Sequence, residues 1–198
     1  VRPSTLALLK KIMAVPELED FNLAGGTALA LQLGHRISID LDFFGQSNLP
    51  LEEIISLLSD ISKLTILTQS RNILVLNIED IKVDFVNYQY PLLKPFQMLE
   101  GIRLVTPEDI AAMKLAAIAG RGRKRDFYDL YFLLQQIQLD ELIQFYNDKY
   151  PDGSEFMIVK SLIYFDDAEL DEDPILLKEA DWQLVKTYIT KEVNRLYR

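Results

Sequence analysis

Three aspartates and a glycine turn have the types and spacing that phosphate chemistry requires. Gly25-Gly26-Thr27 opens a run of helix formers, Thr27 to Leu33, that Gly34 closes. A helix N-terminus carries unpaired backbone N–H groups and partial positive charge, and glycines let an anion approach that backbone closely. The turn therefore suits a di- or triphosphate; the plainer reading is a tight connection. In Ile37-Ser38-Ile39-Asp40-Leu41-Asp42-Phe43 the apolar residues alternate with Ser38, Asp40 and Asp42. A strand there sends both carboxylates out of one face with Cα atoms roughly 6 to 7 Å apart. Mg²⁺ takes one or two carboxylates together with phosphate and water, although two solvated acids on an exposed sheet face fit the same pattern. Asp84 sits with Lys82 on the polar face of a second alternating stretch, opposite Ile81, Val83 and Phe85. Were its strand to lie beside the first, three carboxylates would converge, and divalent cations would relieve their repulsion. A two-metal site of that kind lowers the pKa of a hydroxyl nucleophile and neutralises charge on a phosphoryl group.

The elements that must position these residues follow from periodicity. A helix is predicted over 4–13, a short strand over 21–24, a helix over 27–33 and a half-buried strand over 37–43. A helix over 51–59 precedes strands at 64–68, 72–79 and 81–86, the last two joined near Asp80 by a tight hairpin. Thr106-Pro107-Glu108-Asp109 starts a helix ending at Gly120, with a hydroxyl cap, an early proline and acids at the positive end of the dipole. Phe127, Leu130, Tyr131, Leu134 and Ile137 form one stripe of a helix over 123–137, and further helices are expected at 139–148, 154–165 and 176–196. The fold class is α+β, with an α/β core over 1–100 and a helical region over 101–198 that completes the site.

Composition narrows the function. The 198 residues are 49% hydrophobic, enough for a core, and the absence of cysteine excludes disulfides and zinc thiolates. With 21 basic against 30 acidic residues, the net charge of -9 argues against binding a phosphate backbone through the overall field. No apolar run approaches a membrane span, and Val1-Arg2-Pro3 opens no signal-peptide pattern, so a cytoplasmic protein without membrane contact is expected. Neither a Walker A loop, a GxGxxG fingerprint nor a GxSxG elbow is present. Two charged segments stand out. Arg121 to Arg125 (RGRKR) either meets RNA, with Tyr128 and Tyr131 stacking on bases, or pairs with acids; Asp166 to Asp173 (DDAELDED) reads as a solvated loop. Trp182, Tyr188 and Tyr197 read as helix packing.

Residues 24–44 (AGGTALALQLGHRISIDLDFF), Lys82-Val83-Asp84, Ile110 with Lys114, and Arg125-Asp126-Phe127-Tyr128-Asp129-Leu130 resemble four ordered motifs of the AbiEii/AbiGii nucleotidyltransferases. These are toxin components of type IV toxin–antitoxin and abortive-infection systems with a polymerase-β-like nucleotidyltransferase core. The resemblance implies transfer of a nucleoside monophosphate from an NTP to an acceptor hydroxyl, with tRNA among the acceptors, two Mg²⁺ or Mn²⁺ ions as cofactor and a cognate antitoxin as partner. It implies that Asp40 and Asp42 bind both ions and that Asp84 completes the metal set and takes the proton of the attacking hydroxyl. Gly25, Gly26 and Thr27 would hold the β and γ phosphates, and Arg36, beside the lone His35, would touch the nucleotide. Lys114, on an otherwise apolar helix face, is either a cation set against the triphosphate or a stem that snorkels to water. Asp126 and Asp129, three residues apart on a helix, orient Lys114 or Arg125, touch the nucleotide, or form a surface ion-pair network. Two other functions share these residues: a non-catalytic nucleotide- or protein-binding module, and an enzyme that nucleotidylates a small molecule.

Overall fold

Alternation in the first hundred residues builds one sheet. In the computed structural model, which describes residues 1–196, the elements run α1 (Pro3–Met13), β1 (Asn22–Ala24), α2 (Gly25–Leu33), β2 (Leu41–Gly45), α3 (Leu51–Ile61), β3 (Leu64–Gln69), β4 (Ile73–Ile78), β5 (Ile81–Asn87), β6 (Gln97–Leu99) and β7 (Ile102–Leu104). Helices follow: α4 (Pro107–Arg121), α5 (Lys124–Leu133), α6 (Leu139–Lys149), α7 (Glu155–Leu162), α8 (Asp166–Glu169) and α9 (Trp182–Arg195). The chain divides into two units. One takes Val1–Leu31, Ser38–Pro91 and Pro95–Thr106; the other takes Gln32–Ile37, Leu92–Lys94 and the chain from Pro107 onward. The mixed sheet and its helices match the α+β class.

The sheet of the first unit has the order β3-β4-β5-β2-β1-β7-β6. Strand β2 is antiparallel to β1 and parallel to β5, with Leu41 opposite Val83, Asp42 opposite Asp84 and Phe43 opposite Phe85. The buried members fix that register. Leu41, Phe43, Val83 and Phe85 are all buried, and the Phe43 and Phe85 rings stack at 4.8 Å while Phe21 meets Phe85 edge-on at 5.2 Å. A slip of one residue would turn this set out to water and its acids inward, so packing holds the two aspartates side by side. The β4–β5 hairpin turns through Glu79 and Asp80, both left-handed (φ 53° and 61°), as a two-residue turn matched to strand twist requires. Helices α1 and α3 add Leu8, Leu9, Ile12, Ile54 and Leu58 to this core.

The second unit is helical. Ala111 and Ala112 keep α4 slim where α5, α6 and α7 pack against it, and α5 and α7 also meet α9. Trp182 packs among Phe127, Tyr128 and Phe165, and Tyr188 against Tyr131, which is the packing role expected of these aromatics; Tyr197 lies outside the described residues. Buried Lys149 bonds buried Asp109 at 2.7 Å, and Asp109 also accepts the backbone N–H groups of Leu93 and Lys94.

Several sequence expectations shift. The strand predicted over 37–43 begins only at Leu41, and Ile39 is 44% exposed, because the backbone of 35–37 bonds to Ile175 and Leu177 instead of joining the sheet. Residues 176–181 stay outside the helix, bending at 177–178, and the last helix starts at Trp182 with the Asp181 carboxylate accepting the Leu184 N–H. The β6–β7 hairpin was not expected; its turn is Glu100-Gly101, again left-handed at both positions. The helix predicted over 123–137 stops at Leu133, and that over 154–165 at Leu162. The acidic run is not a free loop: it forms α8, and Asp171 and Asp173 take cations from the basic segment.

Candidate active site

In the first unit, Gly25 is required for a reason different from anion approach. Its φ is +64°, and a Cβ built there would lie 3.0 Å from the carboxyl carbon of Asp42. The missing side chain is the space in which the Asp42 carboxylate lies, at the start of α2. Gly26 and Thr27 are buried in the same first turn, and the Thr27 hydroxyl donates to the Asp40 carbonyl, tying the residue before β2 to the helix. Asp42 and Asp84 occupy facing positions on neighbouring strands, which stand about 4.8 Å apart. Lys82, which the sequence placed on the same face without a role, donates to Asp84 Oδ2. Asp84 Oδ1 is buried and has no hydrogen-bond partner among the described residues, a condition that costs about 1–3 kcal/mol.

The three expected carboxylates do not assemble as one group. Asp40 precedes the strand, and among the described residues no three His, Asp or Glu side chains stand close enough to share an ion. What comes together is Asp42 with Asp84. An unpartnered buried carboxylate oxygen beside a second carboxylate is a hard-oxygen donor set, the chemistry that Mg²⁺ and Mn²⁺ take.

In the second unit, the other expected residues form a buried ion cluster around Asp129. That carboxylate accepts from His35 Nε2 at 2.7 Å, Arg36 Nε at 2.6 Å and Arg36 Nη2 at 2.9 Å, and pairs with Lys114 Nζ at 2.6 Å. Lys114 also bonds Asp126 at 2.7 Å, and Arg121 reaches the far oxygen of Asp126 at 3.2 Å. Burial opposes the charge of Asp129, but Lys114 and the fork of Arg36 outweigh it and hold the carboxyl far below the usual range. Burial likewise opposes the Lys114 charge, and Asp129 with Asp126 overcomes it, raising the ammonium above its ordinary value. Asp126 and Asp129 both pair with Lys114, and the snorkelling reading of Lys114 fails because its side chain is only 7% exposed. His35 and Arg36 face this cluster from one end of a connection whose backbone is pinned to 175–177.

Tyr128 and Tyr131 are buried, which removes them as a stacking platform for bases. The basic segment pairs with acids: Arg121 with Asp126, Arg123 with Asp171, Lys124 with Asp173. Sequence reasoning missed Lys82 and the Asp109–Lys149 pair. An alternating lysine two residues from Asp84 was the signal for the first; nothing local signals the second.

Comparison with known proteins extends this geometry. The model of the family described as "Nucleotidyl transferase AbiEii toxin, Type IV TA system" matches residues 7–194. A protein of Aquifex aeolicus (strain VF5), named only as uncharacterized protein aq_aa25, is 39% identical over 194 residues, covering 94% of this chain and 92% of its own. Among solved structures, JHP933 from Helicobacter pylori aligns with a TM-score of 0.55 at 23% identity over 100% of this chain and 98% of that one. ANT(2")-Ia, solved in complex with adenylyl-2"-tobramycin, aligns with a TM-score of 0.59 at 12% identity over 76% and 99%. At such identities the structures speak to fold, which is that of the polymerase-β-like nucleotidyltransferases. With the match running through both units, and with the glycine turn, the paired aspartates and the lysine–aspartate cluster within it, the chain belongs to the AbiEii nucleotidyltransferase family.

Proposed function

We propose that this nucleotidyltransferase moves a nucleoside monophosphate from an NTP to an RNA hydroxyl, breaking the α–β phosphoanhydride bond and releasing pyrophosphate, with tRNA as the acceptor, and acts in the cytoplasm as a toxin restrained by a cognate antitoxin. The observation that carries the transfer chemistry is Asp42 facing Asp84 across neighbouring strands, with one Asp84 oxygen buried and unpartnered. Asp42 and Asp84 would hold divalent cations, Mg²⁺ or Mn²⁺. Bound there, the two ions would lower the pKa of the attacking hydroxyl and neutralise charge on the transferring phosphoryl group. The chain's own groups do the rest. Asp84 takes the hydroxyl proton, the backbone N–H groups of Gly25, Gly26 and Thr27 face the phosphates, and Asp42 is seated by the space at Gly25. An ammonium has three donors, and Lys114 gives two to Asp126 and Asp129. The third is assigned to a substrate anion, with Arg36 beside it.

The test is transfer of label from α-labelled NTPs to total cellular RNA and, in a parallel arm, to small-molecule acceptors. Asp42→Asn and Asp84→Asn should abolish transfer while leaving the urea midpoint close to the parent's, and EDTA should do the same to the parent. Parental transfer by both variants refutes the site. NTP binding by calorimetry without metal dependence and without turnover would instead identify a non-catalytic module. For the toxin role, expression alone should slow growth and the antitoxin should relieve it; harmless expression of an enzyme verified as active in cells refutes it.

A further inference from the structure

The basic segment and the acidic run lie against each other in the second unit. Arg123 Nη1 bonds Asp171 Oδ1 at 2.7 Å, the other Asp171 oxygen accepts the backbone N–H of Lys124 at 3.0 Å, and Lys124 Nζ reaches Asp173 at 3.5 Å. Tyr128 also donates to Asp173 at 3.4 Å. Beyond these acids the chain continues into 175–177, whose backbone pairs with 35–37 through Ile37 N–H to Ile175 O and Leu177 N–H to His35 O, both 2.8 Å. Residues 171–177 are thus a strap, fastened by carboxylates at one end and by backbone at the other. The carboxylate end is the weak one. Arg123 is 58% exposed and Asp173 63%, against 20% for Asp171 and 8% for Lys124, so each pair has one member open to solvent where salt and another anion can compete.

We propose that Asp171 and Asp173 occupy, as internal competitors, the place that the phosphate backbone of an RNA takes on Arg123 and Lys124, so that the strap restrains acceptor binding until RNA displaces it. This rests on the RNA acceptor proposed above and adds its regulation. Charge complementarity supports it: Arg123 is exposed, Lys124 is buried with its ammonium reaching the exposed Asp173, and in a chain of net charge -9 the two cations are available to a polyanion only when these two carboxylates yield.

The probe is a labelled 20-nucleotide single-stranded RNA, bound without NTP. Asp171→Asn with Asp173→Asn should tighten binding about fivefold at low salt, taking each half-exposed pair at about 0.5 kcal/mol. The slope of log K against log salt should steepen by about 1.4, for two added phosphate contacts. Asp140→Asn with Glu141→Gln, exposed acids on α6 carrying the same charge change, should yield a smaller gain. Adding Arg123→Ala to the strap pair should erase the gain. Asp173→Asn alone, which leaves the backbone cap of Asp171 intact, should show part of it. A gain no larger than that of the α6 control, or one that survives Arg123→Ala, overturns the proposal. Because binding is read without NTP, such a result alongside normal label transfer would sink the strap and leave the transfer reading standing.

Discussion

Replacing Asp129 by Asn tests whether the ion cluster is what builds the second unit. The change keeps volume and removes the one charge that His35, Arg36 and Lys114 share. Lys114 retains Asp126, but Arg36, only 5% exposed, exchanges a two-oxygen carboxylate for a neutral amide with one acceptor and stays buried as a cation. Removing one partner of a buried ion pair costs about 3–5 kcal/mol, most of it the penalty of the charge left behind. With a urea m-value of about 2 kcal/mol/M, the unfolding midpoint should fall by about 1.5–2.5 M. The pH dependence supplies a second signature. Because the folded pKa of Asp129 lies below its unfolded value, its contribution is present above about pH 4 and is lost as pH falls through the folded value. The parent should therefore lose more stability on acidification than Asp129→Asn does. A midpoint within 0.5 M of the parent, taken as roughly a quarter of the expected shift, or identical acid profiles for the two proteins, refutes the reasoning.

Gly25→Ala should cost about 1–2 kcal/mol from the left-handed backbone alone and, by displacing the Asp42 carboxylate, reduce label transfer at least tenfold; an active, stable variant would refute the steric account. Tyr128 should titrate at about 12, since burial and the Asp173 charge raise its phenol, and its stabilising contribution holds below pH 10 and fades as pH rises through 12; absorbance titration of parent against Tyr128→Phe reads this directly. Glu79→Asn with Asp80→Gly should stabilise the β4–β5 hairpin by about 0.5–1 kcal/mol, because both positions already hold left-handed conformations, and thermal unfolding measures it.

The parts of this fold that were legible are those written in local chemistry. Alternation at 81–86 placed Lys82 and Asp84 on the polar face, and the Thr106-Pro107 cap placed α4 within a residue of its start. What escaped is written between distant residues. Alternation over 37–43 has the period of a strand, yet its first half takes a partner at 175–177 that no window of sequence reveals, and this left Asp40 outside β2. The value of Gly25 was visible but not its cause, because the carboxylate that needs the space arrives from seventeen positions later on another strand. Lys114 with Asp126 and Asp129 could be named from residue order, whereas the bonds that join them to His35 and Arg36 depend on a connection that tertiary packing alone brings to α5.

The clamp on Arg36 also imposes a schedule. Its carboxylate partner lies 93 residues downstream, which at about 5–20 residues per second is several seconds of translation. During that interval the guanidinium must remain in water. The cluster can therefore close only after α5 has been made, so a chain interrupted before Asp129 would leave Arg36 without the carboxylate that binds it.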